Sequence, residues 1–453
     1  MYIALIILVN LLFYLKTLQY QGICDDIPVF AQNIKIPGGL WMKFWYHWHG
    51  RKYTSYKLAH AITISIHTIN CILIYIAFGM NYTSLLASIL FAVNPVNNQG
   101  SMWISGKGYS TNTMCALLMW MFPYFSIIPY CFGTYFCGPS LVFFPLVFLF
   151  TNYWYLSFLV IIGLLREKDR IFNKKDPASK FNTESNKELL SVKPRKLIIA
   201  LKSYGYYFIN ALSARILGFY HNYLFLHGVC EAENKKSYII DRYFFIGIFL
   251  AGAVLYTRDI GLVWFTIVIA QWCNFISFNQ TISNRYIYLG NVGLMYLVAR
   301  ILINFPILLG ALLAYYITKL IFFTVFYKNE YWSIEYACIE QPDFFYEWQN
   351  RAVYCFHNKN YHGAIGNLNK ANELRPKDWK VLYNTSQIYL LLGNMNSAKK
   401  YYEEATQCTI DGREEIINKL NKRLKSWIDE IENQAKTNNN QVQIDLGKFD
   451  LQR

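Results

Sequence analysis

Charge is what this sequence has least of. Asp, Glu, Lys and Arg make up 16% of its 453 residues, against 54% apolar and 18% aromatic residues. That balance excludes an ordinary soluble domain. The apolar residues fall in blocks, which points to a polytopic membrane protein with a soluble appendage. Metal and redox spacings are missing as well. Ten cysteines occur without a C-x-x-C or C-x-x-H arrangement, which argues against a zinc site or a disulfide framework. Most lie inside apolar runs and read as small packing residues. Without a Gly-rich phosphate loop, nucleophile elbow or kinase motif set, nucleotide-dependent chemistry has no visible seat. The net charge of +15 gathers in one loop and the C-terminal third, so no nucleic-acid partner is expected.

The first apolar block, Met1 to about Tyr20, has Lys16 as its only charge and no A-x-A-like cleavage site after it. It reads as a retained membrane helix. Further blocks follow at about Leu58–Met80 and Tyr82–Val93, and three more between Thr111 and Leu165, where Pro123, Pro129, Pro139 and Pro145 blur the limits. Five more lie near Tyr204–Leu226, Tyr243–Tyr256, Gly261–Phe278, Ile287–Leu302 and Pro306–Phe326. The expectation is an all-α chain with about eleven spans in residues 1–327. Residues 166–202 carry eleven Lys or Arg against five Asp or Glu, which makes that loop cytoplasmic by the positive-inside rule. Counting spans from it puts the N-terminus in the cytoplasm. The loops at Asp25–Asp26, Asn94–Ser110 and Asn279–Gly290, and everything after the last span, fall on the opposite, extracytoplasmic or lumenal face.

Beyond residue 327 the chain turns polar and helical, with a repeat at a spacing of 34: Ala364 with Ala398, Ala371 with Ala405, and Ala352 with Ser386. Small residues at this spacing match the tetratricopeptide pattern, together with Trp348, Leu368, Pro376, Tyr389 and Tyr402. The expectation is a two-unit module over 344–433, capped by an amphipathic helix near Arg413–Asn433 and followed by a disordered tail, 434–453. Such a module binds proteins or peptides.

Paired carboxylates, Asp25 and Asp26, stand where the first block should leave the membrane. They read either as solvated loop or capping residues, or as a general base held at the membrane surface. His60 and His67, seven apart, share a helical face. They read as packing and hydrogen-bonding residues or as site-lining groups, and without a matched carboxylate they make no metal site. Need for a divalent metal is not encoded in these residues.

The pieces resemble the transmembrane and tetratricopeptide-repeat-containing O-mannosyltransferases, of the C-type membrane glycosyltransferase fold. The resemblance rests on Asp25-Asp26 in the first external loop, His60-Ala-Ile-Thr-Ile-Ser-Ile-His67-Thr-Ile-Asn70, Phe91-Ala-Val-Asn94-Pro95-Val-Asn97-Asn-Gln99 ending Trp103-Ile-Ser-Gly106-Lys107, Asn284-Arg285-Tyr286-Ile-Tyr288-Leu289, and the C-terminal repeats. It implies sugar transfer, mannose-like, from a polyprenyl-phosphate donor to a hydroxyl acceptor on a protein or peptide. Asp25 or Asp26 would then be the base. Arg285 and Lys107 would hold the donor phosphate, and His60, His67, Asn94, Asn97, Gln99, Trp103 and Tyr286 would line the site. Asn94, Asn97 and Gln99 depart from the family pattern of two histidines and an acid. They keep hydrogen bonding and lose titratable chemistry. That departure supports an alternative: a catalytically impaired membrane scaffold recruiting partners through its repeats. A lipid-linked-sugar flippase is a third reading, short of ionisable groups within the spans.

Overall fold

The computed structural model describes residues 1–23, 56–171, 193–218, 240–273, 282–408 and 414–437. Every regular element among them is helical, in keeping with the all-α expectation. Asp25, Asp26, most of the basic loop and the chain beyond 437 lie outside the described residues. The chain separates into two compact units, Met1–Ser333 and Ile334–Arg453.

The first unit holds α1 (Tyr2–Tyr14), α2 (Tyr56–Ala77), α3 (Tyr82–Val93), α4 (Lys107–Met121), α5 (Ile127–Phe136), α6 (Leu159–Ile171), α7 (Lys193–Ser213), α8 (Arg242–Thr257), α9 (Ile260–Ala270), α10 (Ile287–Leu302) and α11 (Pro306–Thr324). Caps set several starts. Asn81 accepts the Ser84 amide while the Ser84 hydroxyl takes the Asn81 amide, a reciprocal box opening α3. Asp259 caps α9 and pairs with Arg300 of α10. The centre is α10, whose stretch from Ile287 to Met295 is buried throughout. It meets α9 at Gly293 and Gly261, where a β-carbon on Gly293 would stand 2.5 Å from the Gly261 carbonyl oxygen. Only glycine lets the two backbones come so close. The Trp264 indole fills the space beside them and donates to the Leu289 carbonyl at 3.0 Å.

The expected eleven spans are corrected here. Among the described residues, three helical stretches are long and apolar enough to cross a membrane: Tyr2–Gln19, Tyr56–Ala77 and Pro306–Tyr327. The apolar helices Tyr82–Val93, Arg242–Thr257 and Ile260–Ala270 are too short, since a span needs roughly 20 unbroken residues. Hydropathy counts residues, but the backbone counts breaks. The block read as three spans after Thr111 is cut by Pro123, Pro139 and Pro145 into α5 and short 3-10 turns. Apolar content in α10 serves the protein core rather than lipid.

The second unit follows α12 (Glu330–Glu340), within which the division falls. It contains α13 (Phe345–His357), α14 (Tyr361–Leu374), α15 (Trp379–Leu391), α16 (Met395–Thr406) and α17 (Glu414–Thr437). Helix α13 packs on α14, α15 on α16, and α17 on α16. All six small residues of the repeat, Ala352, Ala364, Ala371, Ser386, Ala398 and Ala405, are buried. The Ser386 hydroxyl donates to the Ala398 carbonyl at 2.7 Å, tying α15 to α16. Leu424, Trp427 and Ile428 of α17 close the core. Helix α17 runs to Thr437, so the first four residues of the tail expected from Gln434 are helical.

Candidate functional site

Six of the residues singled out in the sequence meet in one buried neighbourhood of the first unit. The Gln99 side chain is its hinge. Its amide donates to the Gly218 carbonyl at 2.9 Å, while its oxygen accepts from the Ser283 hydroxyl at 3.0 Å and the Arg285 backbone amide at 3.1 Å. This fixes the short helical turn Asn284–Tyr286, and with it the Arg285 guanidinium. That group lies 4.9 Å from the centre of the Tyr286 ring and 5.8 Å from that of Trp103. It also donates to the Tyr286 hydroxyl at 3.2 Å. Tyr286 in turn stacks on Trp272, with ring centres 4.1 Å apart. Lys107, at the start of α4, is buried and electrostatically coupled to His60 of α2. The His60 Nε2 lies 3.5 Å from the Gln21 carbonyl oxygen. The result is a buried cationic and aromatic cluster whose polar groups come from α2, the Asn94–Lys107 loop and the turn before α10.

The other three predicted residues do different work. His67 is fully buried in α2, with Nδ1 2.5 Å from the Tyr288 hydroxyl, its ring stacked on Phe91 and edge-on to Tyr14. Asn70 of the same helix donates to the Ser110 carbonyl at 2.8 Å. Asn94 caps the turn after α3 by accepting the Val96 amide, and donates to the Ala211 carbonyl at 2.9 Å. Asn97 donates to the Phe91 carbonyl at 2.7 Å and accepts from the Asn291 side chain at 3.0 Å. Asn94, Asn97 and Gln99 therefore each donate and accept at once, which an amide does and a carboxylate does not. Among the described residues, no three His, Cys, Asp or Glu side chains gather into a metal-binding group.

Trp272, Ser283 and Gly218 escaped the sequence reading, and Tyr288 stood in its quoted motif without a role. Ser283 directly precedes the Asn284-Arg285-Tyr286 motif, which was a usable signal. Gly218 and Trp272 carry none, because they enter through folding of distant segments.

In the second unit, α15 is buried on nearly every face, Asn384 and Gln387 included, whereas α14 and α16 turn charged faces outward. Asn360 and Asn394, also 34 apart, cap α14 and α16 by accepting the Gly363 and Ser397 amides. One residue earlier, Lys359 and Gly393 both take the left-handed conformation, at φ 60° and 72°. The repeat thus extends through turn and cap.

The tetratricopeptide-repeat family model matches residues 380–407, which are α15 and α16. The BBSome complex member BBS4 of Bos taurus is 36% identical over 77 residues, covering 17% of this chain and 14% of that protein. No solved structure matches the chain. The chain is thus a tetratricopeptide-repeat-containing protein. These matches lend no support to the O-mannosyltransferase resemblance or to a lipid-linked donor.

Proposed function

We propose that this chain is a membrane-held recruiting protein that binds a protein partner through its tetratricopeptide module. The observation that carries the reading is the module itself: two helix pairs in 34-residue register, joined through buried small residues and closed by α17. Stacked helix pairs of this kind present extended surfaces suited to protein recognition. Three apolar helices supply the means of membrane attachment. The amides at Asn94, Asn97 and Gln99 fit the same reading, because they stabilise the fold where a transferase of the resembled family would carry titratable groups. The test is photo-crosslinking in the native cell from Lys370 and Glu373 of α14 and Lys400 and Glu403 of α16. A discrete protein adduct that disappears when Ala398→Arg breaks the second helix pair supports recruitment. Absence of any adduct dependent on an intact module refutes it.

A second reading, transfer of a sugar from a polyprenyl phosphate, draws on one observation: Arg285 is held between Trp103 and Tyr286, with Lys107 buried nearby. Cations stabilise a departing phosphate, and Asp25 or Asp26 would supply the base. Sugar transfer by the purified chain that Asp25→Asn or Asp26→Asn abolishes, at equal folded yield, would establish this reading. Absence of transfer with every donor leaves recruitment alone.

A further inference from the structure

From Phe122 to Leu165 the chain runs forty-four residues without one charged side chain, and fifteen of the first thirty-seven are aromatic. Composition alone would make this membrane-crossing. The structure builds something else. Helix α5 has ten residues and the 3-10 stretches Phe144–Phe150 and Trp154–Phe158 have seven and five. Each reaches about 15 Å or less, half the roughly 30 Å of a hydrocarbon core. Tyr130, Phe144 and Phe148 face inward and are buried, with the Tyr130 hydroxyl donating to the Val142 carbonyl at 3.1 Å. The opposite side is open. Tyr124 is 79% exposed, Ile128 67%, Phe125 65%, Phe158 61% and Trp154 56%.

These exposed groups form one patch. The turn at Pro123–Phe125 meets the turn at Tyr153–Phe158 through an edge-on contact of Tyr124 with Tyr153 at 5.9 Å, and Trp154 continues it edge-on to Phe158 at 6.3 Å. Where the uncharged run ends, the Arg166 guanidinium sits 5.7 Å from the Tyr135 ring, and a net-basic stretch begins. Two constraints then fix the depth. Exposed backbone at the breaks between these short helical stretches, as at Asn152, is not tolerated in the hydrocarbon core, which excludes deep immersion of the segment. Tyr and Trp bearing an apolar body and a polar tip favour the headgroup boundary, and basic residues favour anionic headgroups.

We propose that Phe122–Phe158 is an interfacial wedge that inserts shallowly into one leaflet, its Tyr124–Trp154 patch at the boundary between headgroups and acyl chains, and does not cross the bilayer. The partner is lipid, and the proposal stands apart from protein recruitment by the second unit. Full-length protein is reconstituted into bilayers whose acyl chains carry bromine either near the carbonyl end or near the terminal methyl. Tryptophan fluorescence of the wild type is compared with Trp154→Phe, and with Phe125→Trp, which adds a reporter to the same patch and serves if Trp154→Phe does not fold. The expected result is stronger quenching by the shallow bromines, partly lost in Trp154→Phe and increased in Phe125→Trp. Stronger quenching of these reporters by the deep bromines overturns the proposal, because the segment would then reach the midplane. Reporters unquenched at either depth overturn it too, since the patch would face water or protein.

Discussion

Glu347 offers a pH test of the second unit whose size follows from one carboxyl group. It lies in α13, only 4% exposed, with one oxygen accepting from the Asn350 side chain at 3.3 Å. Burial raises its pKa, the Asn350 hydrogen bond opposes the rise, and the Glu340 charge adds to it, leaving a value of about 7 against an ordinary 4.5. The folded chain therefore holds this proton more tightly than the unfolded chain. The stabilisation that protonation gives is fully present below about pH 4.5 and is lost as pH rises to about 7. A separation of about 2.5 units at 1.36 kcal/mol each sets a ceiling of about 3 kcal/mol, of which about 2.5 falls between pH 5 and pH 8. Glu347→Gln imitates the protonated form at every pH. Unfolding of the full-length chain and the variant is followed by denaturant titration at both pH values, and the difference of differences cancels every other titrating group. The variant should gain about 2.5 kcal/mol on the wild type between pH 5 and pH 8. A double difference near zero would mean that the carboxyl is solvated, and the reasoning from burial would fail.

Three further changes probe other parts of the chain. Gln99→Glu removes the donor to Gly218 and buries a charge against a carbonyl, and should cost about 3 kcal/mol in denaturant unfolding of the first unit; an unchanged midpoint would show the site to be wet and adaptable. Gly293→Ala drives a β-carbon into the Gly261 carbonyl and the Trp264 side chain, with an expected loss of about 1–3 kcal/mol by thermal unfolding in detergent, and equal melting of both proteins would mean that α9 and α10 part readily. Lys359→Gly relieves a left-handed lysine at the position where the second repeat already has Gly393, so the module should gain about 0.5–1 kcal/mol in chemical denaturation; a loss would show that Lys359 has an ordering role its backbone angle does not reveal.

The repeat module was legible because its information is local and periodic. A small residue every 34 positions, at Ala364 and Ala398 or Ala371 and Ala405, states both helix pairing and register, and all four are buried. Asn360 and Asn394 obeyed the same spacing and could have been read as caps from the sequence. The first unit was legible in class and not in count. Apolar runs report that residues avoid water, but α10 avoids it within protein, and the segment after Met121 is broken into turns too short to cross a bilayer. The neighbourhood around Arg285 was partly legible. Gln99, Trp103 and Tyr286 do gather around Arg285, and Lys107 faces His60, whereas Trp272 and Gly218 come from segments with no motif to mark them. His67 shares a helical face with His60 yet closes onto Tyr288 and Phe91. A shared face specifies direction, and the neighbour on that side decides the role.

The Asn94–Gln99 loop is where the two functional readings part, and hydrogen-bond direction separates them. Three of its four amides answer a backbone carbonyl with the nitrogen and also a donor with the oxygen; the carbonyls are Ala211 for Asn94, Phe91 for Asn97 and Gly218 for Gln99. The donors, in the same order, are the Val96 amide, the Asn291 side chain, and the Ser283 hydroxyl with the Arg285 amide. A carboxylate can satisfy the donors but repels the carbonyl, and a neutral imidazole offers its donor and acceptor in a different geometry. The loop and its surroundings are thus mutually adapted to amides. A pocket that had only lost its titratable groups would leave its former partners facing side chains that cannot answer them, since unmatched buried polar groups are costly. At Asn94, Asn97 and Gln99 the nitrogen and the oxygen of the amide are both matched, while Asn98 matches only its nitrogen, so these three make the loop a clasp that fixes Arg285 and the start of α10 in place. That architecture fits the recruiting role proposed above, in which the first unit would be a stable body beside the membrane.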